Sequence, residues 1–308
     1  MSPTPRLASV IVNWNNYTET CAFVASFARA PYPDHEVIIV DNNSPNRSTE
    51  RIQAEFPQYT YIYNRENVGI AAANNIAMRE ALARGAQYIF LFNNDLEIIE
   101  DDFFAKMIGY MEQRPRTGMA APQLLHPDGT PQPSVKLMQT PFNQCAEWLW
   151  LRPLIRRMNA GRPHSGPLRE SDFVMASALL VRKEAIEDIG FEDERFFLGY
   201  EDMDWCKRAR EKGWSVDYVP EARITHWHGV SSKGLMSDFD YYFKEKLRYL
   251  MKHFAAWQTF LFRMCVSFGS LVRGARGSRA HLRLAYRIWS YPWSKRAYLV
   301  PARPNPSV

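Results

Sequence analysis

The sequence predicts an α/β fold in which a mostly parallel central sheet is flanked by helices, with a basic helical region at its C-terminal end. Short β-branched runs alternate with helical segments of about 10–15 residues, the pattern of βαβ units. The chain of 308 residues is 46% hydrophobic and 23% charged, which is enough to bury a large core. Its net charge of +5 is uneven, because residues 240–308 hold 13 Lys and Arg against 2 Asp and Glu. We therefore predict one α/β domain over residues 1–239 and a basic tail over residues 240–308.

Residues 1–115 form the regular half of the predicted domain. Its predicted strands are the runs LASVIVNW, HEVIIVDNNS, YTYIYN and AQYIFLFNND. Its predicted helices are YTETCAFVASFARA, a short segment near residues 48–55, IAAANNIAMREALARG and EDDFFAKMIGYMEQRP. Because strands that alternate with helices form βαβ units, we expect these strands to be parallel, with their carboxyl ends at one edge of the sheet.

Residues 116–239 form a less regular half, in which the alternation breaks down. The segment MAAPQLLHPDGTPQPSVK predicts two strands around a turn, and FNQCAEWLWLRPLIRRM predicts an amphipathic helix. A basic loop, NAGRPHSGPLRES, leads to DFVMASALLVRKEAIEDIG, which predicts a buried strand that runs into a helix. The last predicted elements are a helix in GYEDMDWCKRAREKGW and the short strands SVDYV and ARITHWH.

Polar side chains follow three of the predicted strands. In open α/β sheets ligands bind beyond the carboxyl ends of the strands, so three such clusters at one edge favour a polar binding site over three ordinary turns. The first turn lacks the glycines of a dinucleotide-binding fold, and no G-x-x-x-x-G-K-[ST] phosphate loop occurs. The clusters are Asn13, Trp14 and Asn15; Asp41, Asn42 and Asn43; and Asn93, Asn94 and Asp95.

Two further groups carry candidate chemistry. Glu201 and Asp202 begin a predicted helix after an apolar stretch, where acids complement the helix dipole but one of them could also face a pocket as a general base. His226 and His228 lie two residues apart on a predicted strand and therefore point to the same face. One of these histidines could ligate a divalent metal together with Asp95, or both could be structural.

The tail is aromatic as well as basic, a composition that suits the surface of an anionic membrane. Its most apolar stretch, residues 254–272, contains Gln258 and Arg263, so we expect it to lie on a bilayer rather than to cross it. An amphipathic helix packed on its own domain is the alternative, and nucleic acid is the competing partner. Nucleic acid would leave the acids at the strand ends unexplained, so no nucleic-acid partner is predicted.

Cysteine usage and the N-terminal sequence predict a cytoplasmic location. The four cysteines lie far apart and form no C-x-x-C pair, so we expect them to be reduced packing residues. No apolar segment precedes the first predicted strand, so no secretory signal is expected. With the basic tail, these features predict a cytoplasmic protein that lies on a membrane surface.

These motifs, in this order, resemble the family 2 glycosyltransferases with the GT-A fold, and most of all the bacterial rhamnosyltransferase-like branch that builds surface polysaccharides. The resemblance covers residues 7–232. It is carried by SVIVNWNN, EVIIVDNNS, NRENVGIAAANN, FLFNND, APQLLHPDGT, ALLVRKEAIEDIGFEDERFF, GYEDMDWCKR and VPEARITHWHGVSS. It implies that residues 1–115 bind a nucleotide sugar and that residues 116–239 hold the acceptor and the catalytic groups.

The resemblance also implies roles for individual residues. Asp202 matches the catalytic base, with Glu201 as its nearest rival. Residues 93–95 stand in place of the D-x-D metal motif of the family, and Asn93 leaves this site one carboxylate short. The expected metal ligands are Asp95, Asn93 and His226. The residues expected to line the donor are Asn13, Trp14, Asn15, Asp41, Asn67, Gly69, Asn74, Asn93, Asn94 and Asp95.

The implied activity is inverting transfer of L-rhamnose or a related hexose from dTDP-L-rhamnose or a UDP-sugar, with Mg²⁺ or Mn²⁺ at the diphosphate. The acceptor would be a glycan or a polyprenyl-diphosphate-linked glycan at the membrane, reached through the tail. Two other classes remain open: a sugar-nucleotide-binding assembly subunit without catalytic activity, and a nucleotidyltransferase on a related sheet. A nucleotidyltransferase would be expected to carry a glycine-rich, basic phosphate loop after the first strand, which NWNNYTET does not supply.

Overall fold

The predicted α/β fold is present in the computed structural model, which describes residues 4–151, 153, 166–168, 172–227 and 239–292. The strands are β1 (Leu7–Asn13), β2 (His35–Asp41), β3 (Thr60–Tyr63), β4 (Tyr88–Phe92), β5 (Leu96–Ile98), β6 (Thr117–Leu125), β7 (Val135–Leu137), β8 (Gly166–Pro167), β9 (Asp172–Val174), β10 (Ala178–Arg182) and β11 (Ser215–His226). The helices are α1 (Thr18–Ser26, continued by a 3₁₀ turn), α2 (Ser48–Glu55), α3 (Ile70–Ala83), α4 (Phe103–Glu112), α5 (Pro141–Trp148), α6 (Lys183–Ile189), α7 (Glu201–Glu211), α8 (Phe239–His253), α9 (Ala256–Ala275) and α10 (Arg279–Ser290).

The large sheet is mixed, with its parallel part in the N-terminal half of the chain. Its strand order is β3-β2-β1-β4-β10-β6-β11-β5, with β8 paired to β11. The first four strands in this order are parallel because helices α1, α2 and α3 connect them as crossovers. Strand β10 is antiparallel to both of its neighbours, and β11 is antiparallel to β5. The parallel pairing predicted for residues 1–115 is therefore confirmed. Strand β10 runs in the opposite direction between β4 and β6.

Strand β11 replaces the two short strands predicted from SVDYV and ARITHWH. It pairs with β6 along most of its length, and the register shifts between Val219 and Arg223. Pro220, which has no backbone N–H to give to the ladder, lies in this irregularity. The proline therefore interrupts the pairing without ending the strand.

The pairing register brings the polar strand ends to one edge. Asn13 lies opposite Asp41, and β4 runs parallel on the other side of β1. His226, the last residue of β11, pairs with Leu96 of β5, which directly follows Asp95. Groups far apart in the chain therefore meet at the carboxyl edge of the parallel strands.

Alternate residues of the central strands face two apolar layers. Ala8 and Val10 of β1 point into a layer covered by α3, α7, α8, α9 and α10. Leu7 and Ile11 point into a second layer covered by α1 and α4, where phenylalanine rings stack. This period-2 alternation is what fixes the faces of a strand buried on both sides.

The first helix of the tail, α8, packs on the α/β domain. Its Leu247 and Leu250 are fully buried in the layer that α7 also covers. Asp204 of α7, itself fully buried, accepts from Lys252 Nζ at 2.5 Å and from His253 Nε2 at 2.7 Å. The packed amphipathic helix, which was the alternative for the tail, is therefore what the structure shows for α8. The division of the chain into domain and tail stays a prediction.

Some predictions fall outside the described residues. These are most of the basic loop NAGRPHSGPLRES, the second half of the helix predicted in FNQCAEWLWLRPLIRRM, His228, and residues 293–308.

Candidate functional site

Asn13 is the centre of a buried hydrogen-bond network at the end of β1. Its Nδ2 donates to Ser48 Oγ at 2.8 Å and to Thr49 Oγ1 at 2.7 Å, both at the start of α2. Its Oδ1 accepts from Thr20 Oγ1 at 3.1 Å and from Asn94 Nδ2 at 3.3 Å. The Asn13 side chain is wholly buried, and both its Nδ2 and its Oδ1 have hydrogen-bond partners. It therefore holds α1, α2 and the end of β4 together at this edge of the sheet.

Asp41 is held at the end of β2 with its carboxylate oriented. Its Oδ2 accepts from the Ser44 N–H at 3.1 Å, and its Oδ1 accepts from Thr49 Oγ1 at 2.6 Å. On the neighbouring strand end, Trp14 is 38% exposed and Asn15 adopts a left-handed conformation with φ 57°. An oriented carboxylate beside an exposed aromatic ring can receive the hydroxyls and the flat face of a nucleoside.

Asn42 organises the turn that leads into α3, a role that the sequence did not reveal. Its Nδ2 donates to Asn67 Oδ1 at 2.7 Å, and its Oδ1 accepts from the Val68 N–H and from Asn64 Nδ2, each at 3.1 Å. Asn67 Oδ1 also accepts from the Gly69 N–H at 3.0 Å. The predicted donor residues Asn67 and Gly69 therefore lie in one turn that Asn42 fixes from the end of β2.

Gly69 joins this turn to the segment before α7. Its φ is +85°, and a Cβ at this position would lie 2.6 Å from the Phe197 carbonyl oxygen, so no larger residue fits. The Ile70 N–H donates to the same oxygen at 2.7 Å. One turn later in α3, Asn74 Nδ2 donates to Glu192 Oε2 at 2.9 Å. The structure therefore places Gly69 and Asn74 at the contact between the two halves of the domain.

Asp95 and His226 face each other at the end of the sheet. His226 Nε2 lies 3.4 Å from Asp95 Oδ1, and both side chains are buried. On its other side, His226 Nδ1 is 3.1 Å from Gln132 Oε1, and Gln132 Nε2 donates to the His226 carbonyl at 2.7 Å. Gln132 thus fixes the orientation of the imidazole ring and directs its Nε2 at Asp95. A histidine oriented by a second polar group in this way is typical of metal ligands.

The other two residues of the Asn-Asn-Asp motif turn in different directions. The Asn93 N–H donates to the Ser177 carbonyl at 2.8 Å, and its side chain donates to Ser177 Oγ at 3.3 Å. Asn94 turns inward and donates to Thr20 Oγ1 at 3.0 Å. The structure thus brings Asp95 and His226 together, while Asn93, two residues before Asp95, is bound to Ser177. Asn94 belongs to the hydrogen-bond network of Asn13.

The residues at this edge suit a divalent cation shared with a diphosphate. Among the residues that the structure describes, no group of three or more His, Cys, Asp or Glu side chains has a metal-binding arrangement. Asp95 and His226 supply two ligands of the oxygen and imidazole types that Mn²⁺ accepts, and Mg²⁺ and Mn²⁺ commonly complete their shells with substrate phosphates and water. The donor set therefore fits such an ion.

Asp202 and Glu201 differ in their surroundings. The half-buried Asp202 accepts from the Ala176 N–H at 3.3 Å and from the Met203 N–H at 2.7 Å. Glu201 is 8% exposed, and its Oε2 has no hydrogen-bond partner within the described part of the chain. Burial raises the pKa of both carboxyls, and for Glu201 the nearby Asp202 raises the pKa further, well above its usual range. Asp202 is therefore the accessible, oriented member of the pair.

Two adjacent residues connect these two groups. The backbone N–H of Ala176 holds the Asp202 carboxylate, and the carbonyl of Ser177 holds the Asn93 backbone. The residue that follows, Ala178, begins β10 opposite Phe92 of β4. The carboxylate of Asp202 and the backbone of Asn93 are therefore held by two consecutive residues.

Comparison with known proteins finds similar sequences among glycosyltransferases. A dTDP-rhamnosyl transferase of Shigella flexneri, RfbF, is 27% identical over 197 residues, 64% of this chain and 61% of that protein. An N-acetylglucosaminyl-diphospho-decaprenol L-rhamnosyltransferase of Mycobacterium tuberculosis is 26% identical over 231 residues, 69% of this chain and 72% of that protein. This chain thus spans less than two thirds of the length of the Shigella relative.

Among solved structures, a mannosyltransferase of Pyrobaculum calidifontis in complex with GDP-Man and Mn²⁺ superposes with a TM-score of 0.55 at 15% identity, over 97% of this chain and 86% of that one. The likeness confirms the predicted GT-A-like fold. The family model of glycosyl transferase family 2 matches residues 9–189, which is more than half of the chain. This protein therefore belongs to glycosyl transferase family 2.

Proposed function

We propose that the protein transfers a sugar from a nucleotide-diphosphate donor to a hydroxyl of a glycan or a polyprenyl-diphosphate-linked glycan, with inversion at the anomeric carbon. The observation that supports this most is the link through Ala176 and Ser177. It sets an oriented carboxylate, Asp202, beside an edge where Asp95 and His226 can receive a diphosphate-bound cation. A base on one side and positive charge on the other are the two groups that a single displacement needs.

In this reaction Asp202 takes the proton of the acceptor hydroxyl while the hydroxyl oxygen attacks the anomeric carbon of the donor. The bond between that carbon and the nucleoside diphosphate breaks at the same time. Asp95 and His226, with Asn93 beside them, would hold Mg²⁺ or Mn²⁺. When bound, the ion stabilises the charge that develops on the leaving diphosphate. The raised pKa of Asp202, caused by its removal from water, makes it a stronger base than an exposed aspartate.

The role of the base is tested by Asp202→Asn with Glu201→Gln as its matched partner. We expect Asp202→Asn to lose transfer by at least about a hundredfold, while donor binding measured by calorimetry is retained. Glu201→Gln puts a neutral isostere in place of a buried carboxyl whose pKa is raised by burial, so we expect it to keep most of its activity. Full activity of Asp202→Asn, or loss of its donor binding, would refute the assignment. Donor binding without transfer in the wild type would instead favour a non-catalytic assembly subunit.

For the donor we propose dTDP-L-rhamnose, with UDP-hexoses as the next candidates. Two relatives, the Shigella and Mycobacterium proteins, carry rhamnosyl transfer in their names. A thermal-shift panel of dTDP-, UDP- and GDP-sugars, each with and without Mn²⁺, tests both donor and metal, because a ligand that binds the native state raises the melting temperature. A shift with GDP-mannose alone would contradict the proposal.

We further propose that the protein attaches to the cytoplasmic face of the inner membrane through α9. In the described part of the chain, no helix has both the length and the apolar character to span a bilayer. On α9, large apolar side chains at helical spacing remain exposed, while Phe262 and Val266 on the opposite side are buried in the core. The exposed residues are Trp257, Phe260, Leu261, Met264, Phe268 and Leu271, each between 44% and 67% exposed.

Basic residues border this apolar stripe. The next helix, α10, packs along α9 through Ser267, whose hydroxyl donates to the Ala285 carbonyl at 2.9 Å, and exposes Arg279 and Arg283. No Asp or Glu follows Glu245 in the sequence given, so α9 and α10 themselves carry no acid that would repel anionic lipid. An apolar stripe on a basic helix pair suits an anionic bilayer surface.

Vesicle binding of the full chain tests the surface. In Leu261→Ser/Phe268→Ser we expect binding to phosphatidylglycerol vesicles to weaken by at least about tenfold, since two apolar side chains that would enter the bilayer are lost. Phe142→Ser removes an exposed ring from α5 and is the control, expected to bind like the wild type. Unchanged binding of the double variant would exclude α9 as the contact surface.

A further inference from the structure

Glu192 is a buried carboxyl that the proposed reaction does not use. It is 3% exposed and lies between α6 and α7, in the segment that contacts α3. Its backbone N–H and carbonyl both bind the Asn75 side chain, at 3.1 and 2.9 Å, and its Oε2 accepts from Asn74 Nδ2. Its Oε1 has no hydrogen-bond partner within the ranges that the structure describes. The α3 helix therefore fixes this carboxyl in place with one oxygen unsatisfied.

The groups that act on Glu192 electrostatically lie on α7, the helix that carries the proposed base. The single cation among them, Arg208, is already engaged, because it donates to Asp204 at 2.8 Å and to the carbonyls of Ile189 and Phe191. Asn74 contributes a neutral donor from α3. The titratable groups of α7 whose charge interacts with that of Glu192 are Glu201, Asp202, Asp204, Cys206 and Arg208.

Glu192, Glu201 and Asp202 cannot all be ionised at once. Asp204 has its own cations, Arg208 and Lys252, whereas Glu192, Glu201 and Asp202 share one poorly solvated region. Burial raises the pKa of Glu192 to about 8 although the Asn74 hydrogen bond lowers it, and the charge of Asp202 contributes to the rise. Glu192 is therefore a neutral acid near pH 7, and Asp202, which two backbone N–H groups hold, is the member that carries the negative charge.

We propose that Glu192 is a positioning residue of the transfer reaction: held by Asn74 as a neutral acid, it leaves Asp202 as the ionised carboxylate of the cluster. The proposal rests on the proposed function for the role of Asp202 as base. Above the pH at which Glu192 loses its proton, a buried charge appears between α3 and α7, and Arg208, the cation that acts on it, is already paired with Asp204. The charge on Glu192 repels Asp202 and displaces the segment that also contacts Gly69 through Phe197. Transfer activity then falls.

The test compares the pH profile of transfer in the wild type, Glu192→Gln and Glu194→Gln, from about pH 5 to about pH 10. Glutamine is the permanently neutral isostere of protonated Glu192, so kcat/KM of Glu192→Gln near pH 7 should stay within about threefold of the wild type. The wild type should lose activity above about pH 8, and this loss should disappear or move up by at least about one pH unit in Glu192→Gln. The exposed Glu194, which Asn75 and Arg79 also contact, is the control and should behave like the wild type.

A second readout needs no turnover. Because the pKa of Glu192 is raised on folding, its cost to stability grows from the unfolded value near 4.5 up to about pH 8. The melting temperature of Glu192→Gln should therefore exceed that of the wild type increasingly over this range and not below it.

Identical pH profiles, or a Glu192→Gln protein that is folded but inactive near pH 7, would overturn the proposal. A wild type that transfers no sugar overturns both the proposed function and the positioning role. The melting temperatures distinguish this case from an error about Glu192 alone.

Discussion

In the proposed site, residue 93 decides how many carboxylates would face the donor diphosphate. Asn93→Asp restores a second acid next to Asp95 at the edge where His226 completes the site. Since the affinity of a divalent cation rises with the charge of its ligands, we expect the Mn²⁺ concentration for half-maximal transfer to fall by about tenfold. Metal titration of the initial rate measures this.

The neighbouring residue supplies the control for this change. Asn94 is buried and donates to Thr20, so Asn94→Asp places a charge in the interior network instead of at the edge. It should lower the melting temperature and give no gain in metal affinity. An equal response of both variants would show that the metal does not bind at residue 93.

At the scale of elements, the turn before α3 and the segment before α7 depend on Gly69. Gly69→Ala introduces a Cβ that would lie 2.6 Å from the Phe197 carbonyl oxygen and 2.7 Å from its ring, at a φ of +85°. We expect a loss of about 2–4 kcal/mol in the free energy of unfolding, together with weaker donor binding.

Gly85 separates the two causes of that loss. It has a similar φ of +90° but no atom within 4 Å of the position of a Cβ, so Gly85→Ala measures backbone strain alone, about 1 kcal/mol. Chemical denaturation of both variants gives the difference that belongs to the Phe197 contact. Equal losses would mean that the two halves of the domain are not held together at this point.

Helices α7 and α8 are joined by a buried charge. Asp204 receives hydrogen bonds from Arg208, Lys252 and His253 at 2.5–2.8 Å. Burial alone raises the pKa of Asp204, but these partners outweigh it and hold the pKa below its usual range. Asp204→Asn removes the buried negative charge that these groups share, although Lys252 keeps its contact with Asp193 at 2.6 Å, and should cost about 2–4 kcal/mol at neutral pH.

The pH dependence of this loss has a defined sign. A carboxyl with a lowered pKa stabilises the fold above its unfolded pKa, near 4, and this contribution disappears as the pH falls through the folded pKa. The difference between wild type and Asp204→Asn should therefore shrink below about pH 4. Glu211→Gln, at an exposed pair with Lys207, should change stability little at any pH. A loss that does not depend on pH would contradict the charge argument.

Sequence patterns predicted the elements better than their pairing. Strands β1 to β4 and helices α2 and α3 end within a few residues of their predicted limits, because their apolar periodicity is local. The reversal at β10 and the meeting of Asp95 with His226 depend on long-range register, which no short window contains. Glu192 escaped notice because an acid in GFEDERFF reads as part of a polar loop.

At the scale of the whole molecule, the buried layer that α3 and α7 cover also includes α8. Leu247, Tyr249 and Leu250 are wholly buried there, beside Trp205 of α7. Removal of residues 240–308 would expose this layer and could unfold the domain. Loss of vesicle binding in such a deletion would therefore not distinguish unfolding from loss of the membrane-binding surface. Single side chains of α9 are therefore the better probes of membrane contact.

Hydrogen exchange tests whether α8 unfolds with the domain. Because its apolar side chains complete the same core as β4 and β10, we expect the central amides of α8 to exchange at the rate of global unfolding, like those of the two strands. Denaturant should accelerate all three together. The outward stripe of α9 does not enter this core, so Leu261→Ser/Phe268→Ser should leave the protection of α8 unchanged. Exchange of α8 at a much lower free energy than that of β4 would show that the tail opens independently and would restore a boundary near residue 239.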